Sequence, residues 1–134
     1  MKQVYVLDSC AIITLFKEED GSGRVKELLE KSIEQKVDLY LPIIQFGEIL
    51  YVIELYLGAT IKAEVREQIK ASRIKIANIN EELTEEAAQY KARGGISYQD
   101  CFVIAIAKKL NGIILTKDKE FKKFEEIVEV EWLP

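Results

Sequence analysis

The chain has 134 residues, of which 49% are hydrophobic and 31% charged, with a formal net charge of −4. A chain of this length buries roughly two-thirds of its unfolded surface in one core, and it has no apolar run of the ~20 residues that a membrane span requires. The acidic balance excludes nucleic-acid binding by bulk basicity, and the absence of histidine removes the commonest general base, His-centred nucleophile triads and most zinc sites.

The opening MKQVYVLD enters a strand at once and has neither the apolar core nor the cleavage site of a signal peptide, so the expectation is a cytosolic protein without a membrane partner. Val4, Tyr5, Val6 and Leu7 form a short apolar run suited to a central parallel strand, and Asp8 follows at its carboxyl end. Ser9 is positioned to cap a helical segment from Cys10 to Phe16, and the run from Lys17 through Gly21-Ser22-Gly23 reads as a loop. Val25, Leu28, Leu29 and Ile33 recur at helical spacing. Leu39 and Leu41 predict a second strand closed by Pro42, a good first residue for the next helix. That helix, Ile43 to Leu57, is apolar over most of its circumference and ends at Gly58. Glu48 is one of its few polar residues and shares a face with Ile44, Tyr51, Val52 and Leu55. Ile49, Leu50, Ile53, Tyr56 and Leu57 remain on the other sides, more than one small sheet can cover, which predicts an interface there.

Thr60 is a candidate cap for a polar helix to about Ser72, Ile74 and Ile76 alternate like a short strand, and Asn80 caps a helix from Glu81 to Arg93 that Gly94-Gly95 ends. The stretch SYQDCFVIAIAKKLNGIILTKD, from Ser97 to Asp118, then reads as helix, turn and strand. Ser97 marks the helix start, Asn111-Gly112 the stop, and Ile113, Ile114 and Leu115 a buried strand. Lys119 to Phe124 predicts one or two helical turns that Asp118 can cap, and Ile127, Val128 and Val130 a last strand. Two thiols, Cys10 and Cys101, are too few for a disulfide framework and are expected to be small buried groups.

Asp100 lies in the first turn of its helix, on the side of Val103, Ile104 and Ala107. It can serve the helix dipole, yet a carboxylate at the rim of an apolar face requires a partner. In an α/β unit the helix start and the strand's carboxyl end share one edge of the sheet, so Asp8, Asp100 and Asp118 are expected together, with Glu48 able to reach back about 7 Å along its helix. Like charges packed so closely repel one another and do not exist for stability. Hard oxygen ligands suit Mg²⁺ or Mn²⁺, which orient phosphodiesters and acidify bound water without histidine.

The order LDS at Asp8, FGEIL at Glu48, SYQDCFVIAIAKKLNG at Asp100 and LTKDKEF at Asp118 resembles the PIN-domain ribonucleases over essentially the whole chain, and most of all the toxin subunits of VapBC-type toxin–antitoxin modules. The resemblance implies a single α/β domain over residues 1–134, with a parallel sheet of four to five short strands flanked by helices. It further implies Mg²⁺- or Mn²⁺-dependent cleavage of RNA, homodimers and a cognate antitoxin. Carried over, Asp8, Asp100 and Asp118 would bind metal directly or through water, Glu48 would be a further acid, and Ser9 and Thr116 would be hydroxyl donors beside them. As plain structure, Ser9 is a cap and Thr116 a strand-end threonine. The flanks of Glu48, Phe46 and Gly47, depart from the family pattern.

Two other readings compete. A phosphoacceptor domain would need a second acid two residues after Asp8, where Cys10 stands, or the acidic pair of a receiver domain. A PIN-like scaffold that binds RNA or a partner without cleaving it is the other, and turnover separates the two. Lys117, Lys119, Lys122 and Lys123 adjoin Asp118 and are candidates for phosphate contact, against the plain alternative of a solvated helix face.

Overall fold

Each short apolar run becomes a strand of one sheet. The computed structural model describes residues 2–134. The strands are β1 (Gln3–Leu7), β2 (Val37–Pro42), β3 (Lys75–Ala77), β4 (Ile113–Thr116) and β5 (Glu129–Trp132). They pair in the order β3-β2-β1-β4-β5, each parallel to its neighbour. Parallel strands need crossovers, and the helices supply them: α1 (Ser9–Phe16), α2 (Ser22–Ile33), α3 (Ile43–Leu57), α4 (Ala59–Ala71), α5 (Glu81–Arg93) and α6 (Tyr98–Leu110). A short 3₁₀ helix, Lys119–Phe124, links β4 to β5.

Both faces of the sheet are covered, which is why the central strands read as continuous apolar runs instead of alternating ones. Leu7, Leu39, Leu41 and Leu115 point to one side, where they meet Ala11 and Ile12 of α1, Leu28 of α2 and Val65 of α4. Val6 and Ile114 point to the other and pack on Val103 and Ile104 of α6, Ala87 of α5 and Phe121. Each fully buried Leu, Ile or Phe contributes about 1.5–3 kcal/mol of transfer free energy. Gly112 allows β4 to follow α6 directly, because a Cβ there would stand 3.2 Å from Val6 and 3.3 Å from the Val4 carbonyl oxygen.

Several local expectations are corrected. Asp8, not Ser9, caps α1: its carboxylate accepts from the Ala11 N–H, and Ser9 is already helical. The Gly21-Ser22-Gly23 stretch is not all loop, since α2 starts at Ser22 behind Gly21, whose φ of 99° is open to glycine. Thr60 lies inside α4, and the residue before that helix is Gly58. Pro42 closes β2 as expected, and it stands at the N-cap of α3 instead of in its first turn. The final strand runs two residues later than its apolar pattern, from Glu129.

The expected uncovered face of α3 is met in part: Tyr56 and Leu57 are exposed, but Ile49 and Ile53 are buried. Gln45, Ile49 and Ile53 form the stripe that meets the core, whereas Tyr51, Leu55, Tyr56 and Leu57 stand out in solvent, Leu55 at 71% and Tyr56 at 72% exposure. An apolar helix offers no hydrophobic contrast to show which side the sheet takes. The patch that needs cover therefore joins Tyr51 and Leu55 of the Glu48 side to Tyr56 and Leu57.

The strand order reverses at β1, with β2 on one side and β4 on the other. In open α/β sheets the crevice beyond the carboxyl ends at such a reversal is where ligands bind. Asp8 follows β1 and Asp118 follows β4 by two residues, so the topology places both at that crevice.

Candidate metal centre

Asp8 is the innermost acid, 2% exposed. Its Oδ1 accepts from the Ala11 N–H at 3.2 Å and the Cys10 thiol at 2.9 Å, and its Oδ2 accepts from the Thr116 hydroxyl at 2.5 Å. Burial pushes the carboxyl up to about 6 despite these donors, and the nearby Asp118 pushes in the same direction. The Cys10 thiol is itself pushed up to about 12 by burial and by Asp8, so it stays a donor. It also accepts from the Lys117 N–H at 3.2 Å.

Asp100 is buried at the start of α6, where Ser97 Oγ accepts from its N–H at 3.2 Å and caps the helix. Its carboxyl is raised by burial first and then by the charges of Asp8 and Asp118. Gln45 partly offsets this by donating to Asp100 Oδ1 at 3.1 Å. The same amide accepts from the Ser9 N–H at 2.7 Å, so one fully buried side chain of α3 joins the starts of α1 and α6. One turn further along α3, Glu48 accepts from the Ser9 hydroxyl at 2.7 Å.

Asp118 accepts from the Glu120 N–H at 3.0 Å, capping the 3₁₀ helix, while its own N–H donates to Thr116 Oγ1 at 2.9 Å. Thr116 thus touches both strand-end acids. Glu120 turns back to accept from the Ser97 N–H at 3.3 Å. As a result Asp100, Asp118 and Glu120 each bring a carboxylate oxygen within 4.8 Å of the others.

This triple includes two of the acids singled out from the sequence. Asp8 lies behind it, with both oxygens engaged by protein donors, and Glu48 reaches the group through Ser9. Glu120 and Gln45 were missed in the sequence. Glu120 was in view in LTKDKEF but reads there as an ordinary first-turn acid. Gln45 precedes Glu48 by three residues on an otherwise apolar helix, and that spacing was the available signal. The lysines divide: Lys117, Lys119 and Lys122 line one cavity with Trp132 and Leu133, whereas the Lys123 ammonium occupies the space that a Cβ on Gly95 would fill.

Two oxygens on one Mg²⁺, each at about 2.1 Å, stand about 3–4 Å apart. The clustered carboxylates suit a small hard cation by donor type, and their oxygens, within 4.8 Å of one another, need to draw only slightly closer to share one. Among the described residues no buried side-chain nitrogen or oxygen lacks a hydrogen-bond partner, so the unresolved tension in the cluster is one of charge alone.

A sequence model of the PIN domain matches residues 5–127. The chain belongs to the PIN-domain family. No curated protein matches it in sequence. Among solved structures, this PIN domain is similar to a chain of VapBC2 from Rickettsia felis, bound to a DNA fragment from its promoter, with TM-score 0.77, 17% identity and coverage of 98% of this chain and 100% of that one. It is similar to VapC20 of Mycobacterium tuberculosis, a Sarcin-Ricin loop cleaving toxin, with TM-score 0.71, 15% identity and coverage of 91% and 95%. The chain of FitAcB from Neisseria gonorrhoeae shares 24% identity at TM-score 0.63, covering 94% and 95%. At these identities the likeness establishes the shared fold. Among the described residues no helix is long and apolar enough to cross a membrane.

Proposed function

We propose that this PIN domain is a divalent-metal-dependent endoribonuclease and the toxin component of a type II toxin–antitoxin module. The observation that carries the reading is the convergence of Asp8, Asp100, Asp118 and Glu120 at the carboxyl edge of the sheet, where buried negative charge accumulates beyond what the protein's own donors offset. Asp100, Asp118 and Glu120 would hold Mg²⁺ or Mn²⁺. A bound ion supplies the positive charge and the activated water that phosphodiester hydrolysis needs in a chain without histidine.

The chain's own residues set the geometry. Asp8 adds negative charge behind the ligands and is locked by Thr116, Cys10 and Ala11. Gln45 fixes the Asp100 carboxylate, and Ser9 holds Glu48 at the rim, where it can orient a water or a second ion. Similarity to VapBC and FitAcB chains favours a small antitoxin as partner, and the exposed apolar side of α3 offers a surface for it or for a second copy of the chain.

The test is cleavage of a structured RNA by purified protein. Mg²⁺ or Mn²⁺ should support it, EDTA should stop it and added metal restore it. Asp8→Asn and Asp100→Asn should each abolish it while the protein stays folded. Full activity in either variant, or in EDTA, overturns the reading.

A further inference from the structure

In a chain whose net charge is −4, Lys117, Lys119 and Lys122 gather around one cavity of about 250 Å³ whose remaining lining is Trp132 and Leu133. Among the described residues neither Lys119 nor Lys122 has a salt-bridge partner, and Lys117 has only Glu19, at 3.8 Å. The cavity's lining neighbours the acid cluster in the chain and in the sheet. Lys117 and Lys119 flank Asp118 in the chain, and Trp132 pairs in register with Thr116, whose hydroxyl holds Asp8. The indole N–H donates to Glu125 at 3.4 Å, which fixes one edge of the ring.

An aromatic and aliphatic lining under several unpaired cations calls for a ligand with a flat apolar face and more than one negative charge. A nucleotide in a single strand is such a ligand: its base stacks on an aromatic ring and its flanking phosphates meet lysines. A duplex hides its base faces, and an acidic peptide has the charge without the flat face. We propose that Trp132, Lys117, Lys119 and Lys122 form a seat for one unpaired nucleotide of the RNA strand, beside the acid cluster. The proposal rests on the ribonuclease reading and selects, within it, a single-stranded segment at the point of attack.

Trp132 is the only tryptophan, so fluorescence excited at the red edge, where the tyrosines hardly absorb, reports on the seat. The full chain in EDTA, where cleavage is prevented, is titrated with a short single-stranded oligoribonucleotide, with the same strand annealed to its complement, and with a poly-glutamate peptide. Saturable quenching by the single strand only is the expected result. With a dye-labelled strand read by anisotropy, Trp132→Ala should weaken binding roughly 5- to 100-fold and Trp132→Phe by only a few-fold. Lys119→Ala/Lys122→Ala changes exposed side chains, leaves the packing of Trp132 intact, and should lower the slope of log affinity against log salt by about 1.4. Equal quenching by duplex, quenching by the peptide alone, or affinity and salt slope unaltered in these variants overturns the proposal. If the strand quenches but metal brings no cleavage by the unaltered protein, the ribonuclease reading fails while the seat stands. If the protein cleaves without quenching, the seat fails.

Discussion

The Thr116 hydroxyl donates to Asp8 Oδ2 at 2.5 Å and, as acceptor, receives the Asp118 N–H at 2.9 Å, so one side chain at the end of β4 sets the positions of two acids. Thr116→Val keeps the shape and removes both bonds. A buried carboxylate oxygen and an amide are left without partners, and the loss should be about 1–3 kcal/mol in urea unfolding. Mn²⁺ affinity should fall with it. Unchanged stability and unchanged affinity together would show that Thr116 merely fills space.

The raised carboxyls make the metal-free protein sensitive to pH in a definite direction. Burial pushes the Asp8 carboxyl up to about 6 from its ordinary 3.8, so between these values the folded state binds more protons than the unfolded state. Stability is therefore greatest at the acid end of this window and is lost as pH rises through it, by roughly 3 kcal/mol for Asp8 alone. Asp100, also raised, continues the decline at higher pH. Glu131, lowered by its bonds to Arg24, acts oppositely but only at pH values below the ordinary glutamate range. Urea melts in EDTA at pH 5 and 7.5 check the sign, and stability that rises over this interval contradicts it.

Replacing one strained carboxyl by an amide relieves the same strain. Asp100→Asn should stabilise the metal-free protein at pH 7.5 while destroying activity, because a neutral amide can still accept from Gln45 and no longer repels Asp8 and Asp118. Thermal unfolding beside an RNA cleavage assay reads both effects. A less stable variant would place the residue's importance in packing.

Metal should reverse the pH penalty. Mg²⁺ or Mn²⁺ is expected to raise Tm more at pH 7.5 than at pH 5, since binding requires deprotonated carboxylates. Asp118→Asn and Glu120→Gln should each weaken calorimetric Mn²⁺ affinity by an order of magnitude or more, and Glu48→Gln by less. An effect of Glu48→Gln larger than that of Glu120→Gln would move the ion toward α3.

The exposed side of α3 carries the assembly prediction. Tyr51, Leu55, Tyr56 and Leu57 make no part of the core, so Leu55→Glu should leave Tm within a few degrees and reduce self-association or antitoxin capture. Light scattering of the unaltered protein at micromolar concentration should give a mass above the monomer, and a strictly monomeric mass without any antitoxin complex would count against the surface.

Much of the architecture was legible because the signals were local. Apolar runs bounded by Asp8, Pro42 and Asn111-Gly112 became strands and helix ends, and strand ends plus helix starts placed Asp8, Asp100 and Asp118 at one edge. What failed needed tertiary knowledge. The buried face of α3 could not be chosen on a helix that is apolar nearly all round, and Gly21 gave no sign that its positive φ would launch a helix at once. Glu120 joins the site only because a 3₁₀ turn folds it back toward Ser97, and Gln45 only because α1 and α6 start on either side of it. For Glu120 no sequence spacing betrays the relation, and for Gln45 only its place one turn before Glu48 hints at it.

The pairing of β1 with β4 has a consequence in time. Asp8 leaves the ribosome well before Asp118, with β2, β3 and six helices made between them. Until β4 has left the exit tunnel and docked beside β1, Thr116 cannot hold Asp8, and Asp118 and Glu120 cannot face Asp100. Any product cut short before that strand contains the first acid, the glutamate of α3 and the start of α6, yet has no assembled site. Closure of the acid cluster is thereby tied to the docking of β4 beside β1.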